Sequence, residues 1–223
     1  MDLNKSLEFF DPSKVKERCN VIGCGSIGSN VAELLARYGI EKITLWDFDV
    51  VEPHNIANQL YTEEDVGKPK TEALASMLYK INPRLKKTLR IKNCACKEHP
   101  LEGYIFLCLD NIDARRKIVE YNWYNPEIKC VFDYRTTLLE GQCYFADWKN
   151  TKQKDSLLES MNFTHEEAKA NTPVSACGFE LSVSPVVRLC SIMGIVNFTN
   201  FINNEPTKHL IICDPYSYDF VAM

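Results

Sequence analysis

Three glycines, Gly23, Gly25 and Gly28, follow a short apolar run, Cys19–Ile22, and open a helical pattern. An acid, Asp47, closes the next strand-like run. This is the order of a nucleotide-binding βαβ unit. The glycines permit a tight turn and close phosphate approach. The backbone amides of residues 24–28, Ser26 among them, can cradle phosphate at a helix N-terminus, and the acid can hold ribose hydroxyls. The loop by itself does not choose between NAD, FAD and ATP. Further on, Lys70 opens a helix in GKPK. The helix dipole opposes a cation there unless an anion sits beside it. Asp110 and Asn111 end a later apolar run, the position at which open α/β sheets bind ligands. Asp110 has two readings, contact with a metal or the cap of a helix beginning near Asp113.

The elements that must position these groups follow from periodicity. Strands are expected over residues 19–22, 42–46, 89–91, 104–109 and 129–132; the fourth is continuously apolar, as a parallel strand buried on both faces requires. Helices are expected over 26–38, with Ile27, Val31, Leu34 and Leu35 on one face, and over 69–81 and 113–122. A short helix is expected over 5–18, entered near Asp11 and Pro12, and an ordered loop with a short helix over 50–66. After residue 135 the period changes. Residues 141–147 alternate as an antiparallel strand, 149–170 are polar and helix-forming, 185–201 form an apolar helix, and 209–213 and 218–221 are late strands. The fold class is therefore α/β: a Rossmann-like, doubly wound, mostly parallel sheet over 19–135, continued by a mixed, partly antiparallel half over 136–223 in one domain.

The stretch from Asp47 to Lys70 reads DFDVVEPHNIANQLYTEEDVGKPK. With the glycine loop before it, and Asp110, Asn111 and Arg115 after it, the chain resembles the ThiF/MoeB/HesA family of ubiquitin-activating-enzyme-like adenylyltransferases. The ordered matches are the loop Gly23–Gly28, Asp47 and Asp49 before Val51, Asn55 to Gln59, Gly67 to Lys70, Asp110-Asn111 and Arg115. They cover roughly residues 19–135 in register and the rest more loosely. A generic dehydrogenase predicts none of the last four. The resemblance implies ATP- and magnesium-dependent adenylation of the C-terminal carboxylate of a small ubiquitin-like or sulfur-carrier-like protein or peptide, with release of pyrophosphate. It implies Asp47 on the ribose, Lys70 on the phosphates and Asp110 on the magnesium, with Asp49, Asn55, Asn58, Gln59 and Asn111 around the nucleotide. It also implies a two-fold homodimer, to which the apolar helix over 185–201 would contribute.

One departure stands out. Asn58 occupies the place where the family usually has Arg, so a neutral amide replaces a charged phosphate clamp. Arg135, in FDYRTT, is the candidate substitute, and a surface ion pair is its other reading. Cys177, in TPVSACGFE, is the candidate acyl-accepting thiol, with a structural cysteine as the alternative. Two other readings of the whole remain open: a non-catalytic nucleotide-binding scaffold of the same fold, and a nicotinamide-dependent oxidoreductase.

The bulk numbers narrow the partners. The formal charge of −4 and pI near 5.7 give no case for nucleic acid or an anionic membrane as partner. No apolar run is expected to approach the ~20 residues that cross a bilayer. The N-terminus is too charged for a secretory signal. Of ten cysteines, Cys108, Cys130 and Cys213 sit inside apolar runs, as small hydrophobes do in a reducing, cytoplasmic compartment. Cys94 and Cys96 form a CxC, and the absence of any CxxC pair argues against tetrahedral zinc.

Overall fold

The apolar runs become strands because both of their faces are covered. In the computed structural model, which describes residues 2–94, 96, 99–170, 172–176, 178 and 181–223, every residue of β1 (Cys19–Ile22), β2 (Ile43–Trp46) and β4 (Gly103–Leu107) is buried. They join β3 (Arg90–Lys92), β5 (Ile128–Thr136), β6 (Gly141–Asp147), β7 (Leu210–Asp214) and β8 (Asp219–Ala222) in one sheet, ordered β3-β2-β1-β4-β5-β6-β7-β8. The first five strands are parallel. The last three run antiparallel to their neighbours.

Alternation along the strands divides the core between two faces. Val21, Phe106 and Phe132 pack with Val31 and Leu35 of α1 (Ser26–Arg37), Leu74 and Leu78 of α2 (Lys70–Ile81), and Phe198 of the long C-terminal helix over 184–203. Ile22, Ile105, Leu107 and Val131 pack on the opposite face, under the helices over 112–121 and 151–159. From β1 the chain winds outward to β2 and β3, then returns to β4 on the other side. That reversal opens a crevice beyond the carboxyl ends of β1 and β4, where doubly wound sheets bind their ligands.

The remaining helices are α3 (Leu85–Thr88), α4 (Ile112–Tyr121), α5 (Thr151–Glu159), α6 (His165–Ala170) and α7 (Ser184–Asn203). Four expectations change. The helix over 5–18 is reduced to a 3-10 turn, Pro12–Lys14. The Asp11 side chain accepts the Ser13 amide, and the chain must then extend into β1. The strand expected over 129–132 runs on to Thr136, because its charged end is neutralised inside the fold, as shown below. The polar stretch over 149–170 divides into α5 and α6. Finally, α7 is long and apolar enough, by length and composition, to cross a membrane. Here over half of it is buried, with Val187, Cys190, Ile195 and Phe198 in the core and Ile192 and Val196 half-exposed at 44% each. Gly194 permits that packing, since a Cβ there would collide with the ring of Tyr134.

Candidate active site

The glycine loop is built by two close approaches. Gly23 leaves β1 with φ +91°, and a Cβ on it would press within 2.8 Å of the Cys108 carbonyl oxygen, at the end of β4. A Cβ on Gly28 would fall on the Gly23 carbonyl. These two glycines let α1 sit directly against the strand ends. Gly25 differs: it caps α1, and a Cβ there would meet nothing within 4 Å. Open space therefore lies where the first-turn amides of α1 lack intrahelical partners.

Asp47, at the end of β2, takes the Cys24 amide on Oδ2 at 2.6 Å and the Asp49 amide on Oδ1 at 2.8 Å. Burial pushes its carboxyl above the usual range, against the pull of those two amides and of Lys70. The segment after it folds back through Val51, whose amide reaches the Lys68 carbonyl at 2.9 Å and whose carbonyl takes the Gly67 amide at 2.8 Å. This return places Lys70 at the start of α2, its amide on the Asp49 carbonyl at 2.9 Å and its Nζ 3.0 Å from Asp49 Oδ2. The ammonium end is nearly buried, while Asp49 is half exposed.

Asn55 is buried, and its Oδ1 accepts the Glu52 amide at 2.9 Å in a reciprocal capping box that shapes the 3-10 turn Pro53–Ala57. Asn58 ends that turn, half-buried. The next residue, Gln59, holds a buried Oε1 with no hydrogen-bond partner among the described residues. Its neighbour Leu60 donates its amide to Ser29 Oγ of α1 at 3.3 Å, so this orphaned acceptor lies beside the glycine-loop helix. At the end of β4, the Asn111 side chain caps α4 by accepting the Ala114 amide at 2.9 Å. The capping role thus falls to Asn111. Asp110 is left exposed, and no described residue pairs with its carboxylate.

Arg115 and Arg135 meet on a residue that the sequence reading did not single out, Asp133. It is fully buried, and both guanidiniums donate to it. Arg115 also donates to the Tyr134 carbonyl at 2.6 Å. Arg135 reaches the Ser160 carbonyl and hydroxyl at 2.7 and 2.8 Å and lies over the Tyr144 ring at 4.3 Å. This network ties β5 to α4 and to the end of α5. Burial drives the Asp133 carboxyl upward, but the two guanidiniums outweigh it and hold the carboxyl below its usual range. Its only signal in the sequence is an acid inside an apolar run, two residues before an Arg. Cys177 lies outside the described residues.

The structure therefore gathers the glycine loop, Asp47, Asp49, Lys70 and Asp110 along the ends of three neighbouring strands, with Arg135 one strand further out. The ThiF family's profile matches residues 13–221 of this sequence. The chain belongs to the ThiF family. Ubiquitin-like modifier-activating enzyme 5 of Aedes aegypti is 32% identical over 130 residues, covering 48% of this chain and 33% of that protein. The same enzyme of Dictyostelium discoideum is 33% identical over 114 residues, 44% of this chain and 30% of that protein. The matches thus span about a third of the curated relatives' length. Among solved structures, E. coli MccB with ATP has a TM-score of 0.71 at 19% identity, covering 95% of this chain and 65% of that one. PaaA has a TM-score of 0.73 at 17% identity, covering 95% and 74%. These two likenesses are of fold, and they extend the Rossmann-like architecture through the antiparallel half.

The Asp133 network yields a stability prediction. Asp133→Asn leaves the buried Arg115 and the partly buried Arg135 without their shared anion and should cost about 3–5 kcal/mol. In the wild type, a carboxyl depressed in the folded state stabilises at pH above its unfolded value, about 3.9, and that contribution is lost as pH falls through the lower folded value. Urea unfolding from pH 7 down to pH 2 should show the acid loss in the wild type and a smaller one in the variant. A variant as stable as the wild type at pH 7 would contradict the assignment.

Proposed function

We propose that this chain is an ATP-dependent adenylyltransferase that activates the C-terminal carboxylate of a small ubiquitin-like or sulfur-carrier-like protein or peptide. The observation that carries the reading is one crevice edge holding open helix amides at Gly25, a cation at Lys70 and an unpaired acid at Asp110. The relatives' names support it, since they are ubiquitin-like modifier-activating enzymes. So do the fold neighbours: MccB has been solved with ATP and in complex with N-formylated MccA.

The residues present fit the triphosphate. Gly25 leaves open space at the N-terminus of α1, and Gln59 offers an unpaired acceptor to a nucleotide hydroxyl or amino group. A metal fits in a limited way. Among the described residues no three acids, histidines or cysteines converge, so Asp110 would be a lone carboxylate. Magnesium suits such a site, because it takes one or two carboxylates and fills its shell with phosphate oxygens and water. When bound it would neutralise charge on the phosphates.

The chain's own residues do the rest. Asp47 orients the ribose, and its bond to the Cys24 amide sets the sugar against the glycine loop. Amides of the loop hold phosphate oxygens. Lys70, poised on Asp49, moves to the phosphates as negative charge gathers there. The substrate carboxylate is already ionised, so no base is needed. One of its oxygens forms a bond to the α-phosphorus, the bond from phosphorus to the bridging oxygen breaks, and pyrophosphate leaves with that electron pair. Catalysis then rests on positioning and charge neutralisation. Arg135 stays a proposed contributor from the rim, through donors not committed to Asp133 and Ser160. A homodimer in a reducing, cytoplasmic compartment completes the proposal. Its supports are the half-exposed Ile192 and Val196 on α7 and the free thiols of the described cysteines.

ATP–pyrophosphate exchange with a candidate acyl partner tests the activity. Lys70→Ala and Asp110→Ala should each abolish exchange with the fold intact, since one preorganised charge at such a site is worth ~3–4 kcal/mol. Near-normal exchange in either variant would move the chemistry elsewhere. A protein that binds ATP but never exchanges would be the non-catalytic scaffold. Light scattering at tens of micromolar should give twice the chain mass, and a monomeric mass would remove the dimer.

A further inference from the structure

Tyr61 belongs to none of the matched motifs, yet its hydroxyl touches both segments that would hold phosphate. Its ring is buried at 4% exposure in the core cluster that also holds Val51, Cys24 and Leu74. The hydroxyl donates to the Cys24 carbonyl at 2.6 Å and lies 3.3 Å from the Lys70 carbonyl, in the first turn of α2. One proton serves one strong bond, and the shorter contact is to the glycine loop.

A peptide unit is planar and trans, so its C=O and N–H point in opposite directions. The unit joining Cys24 to Gly25 is trans, as are all others described. With the Cys24 carbonyl drawn inward to Tyr61, the Gly25 N–H must face the other way. Gly25 caps α1, and the space beside its Cα is open. The Cys24 amide, one unit earlier, is fixed separately by Asp47. Two inward bonds, one from Asp47 and one from Tyr61, therefore set the orientation of two successive peptide units. Burial, joined by the neighbouring Cys24 thiol and Asp47, pushes the Tyr61 hydroxyl up, so it stays a donor throughout the pH range of a working enzyme.

We propose that Tyr61 is a positioning residue: its buried hydroxyl turns the Cys24–Gly25 peptide so that the Gly25 amide faces the phosphates, beside the helix start that carries Lys70. The inference rests on the adenylation reading of the site and adds a residue to it. It concerns the phosphates and not the nucleoside, so the two parts of the nucleotide separate the role from simple support of the fold.

Tyr61→Phe keeps the ring and removes only the oxygen. The whole wild-type and variant chains are titrated with ATP–magnesium and with adenosine, and backbone amide exchange over residues 22–30 is followed without nucleotide. ATP should bind about tenfold more weakly to the variant, in line with loss of one hydrogen bond that orders a charged-ligand site. Adenosine binding should change less than twofold, and the glycine-loop amides should exchange faster in the free variant. Equal weakening of ATP and adenosine would reduce Tyr61 to a structural residue and overturn the proposal. Unchanged ATP affinity would overturn it too. If the wild type binds neither nucleotide, the adenylation reading fails. The exchange data then decide separately: faster loop exchange supports the positioning role, and unchanged exchange refutes it.

Discussion

At the end of β1 two stretches of backbone come into contact with nothing between them. Gly23 passes under the Cys108 carbonyl of β4, and the first turn of α1 rests on the Gly23 carbonyl through Gly28. No side chain fits at either place. This contact aims the N-terminus of α1 at the crevice between β1 and β4, so the helix dipole and its unpaired amides point where a phosphate would lie. Everything else at the site is arranged around that direction. Asp47 and Tyr61 grip the loop from inside, and the return of the chain through Val51 and Gly67 brings Lys70 to the same edge. Loosening the contact by one methyl group would shift the loop, the helix and the cation together.

Charge is distributed by strand. Along β2, β1 and β4 the groups are either open or only partly committed: the Gly25 amide, Lys70 paired with a half-exposed Asp49, and the unpaired Asp110. At the end of β5, two arginines are spent on one buried acid, and Arg135 is held further by Ser160 and Tyr144. That network carries one net positive charge at the ligand edge while acting as a brace for α4 and α5. With Asn58 where an Arg is usual in this family, Lys70, nearly buried and paired with Asp49, is the cation that the described residues place at the start of α2. The helix dipole disfavours a cation at that helix start, and the Asp49 carboxylate 3.0 Å away supplies the compensating charge.

Much of this was legible from spacing, because the candidate site residues sit at strand ends and helix starts that periodicity already marks. The glycine loop, Asp47, Lys70 and Asp110 are each adjacent to an apolar run whose end could be read directly. The parallel and antiparallel halves were visible in the change from continuous to alternating apolar residues. What depends on long-range pairing was not legible. Asp133 looked like the residue that ends a strand, and only two guanidiniums from α4 and β5 make it a buried continuation of β5. Tyr61 looked like part of an irregular loop, since its meaning lies in a carbonyl 37 residues away. The helix expected over 5–18 failed for a local reason: Asp11 turns the chain with its side chain, where a helix would have used the backbone. Polar Ser191, Asn197 and Thr199 interrupt the apolar run of α7, so no run of membrane-crossing length is read there from the sequence. All three are buried and bonded within the fold.

The central claim is that this crevice was built for a triphosphate and not for a dinucleotide. Isothermal calorimetry of the purified chain with ATP–magnesium and, separately, with NAD tests it directly. ATP–magnesium should bind more tightly than NAD, and the preference should weaken as salt is raised, because charge on Lys70 and the loop amides supplies it. Tighter binding of NAD than of ATP–magnesium would contradict the account.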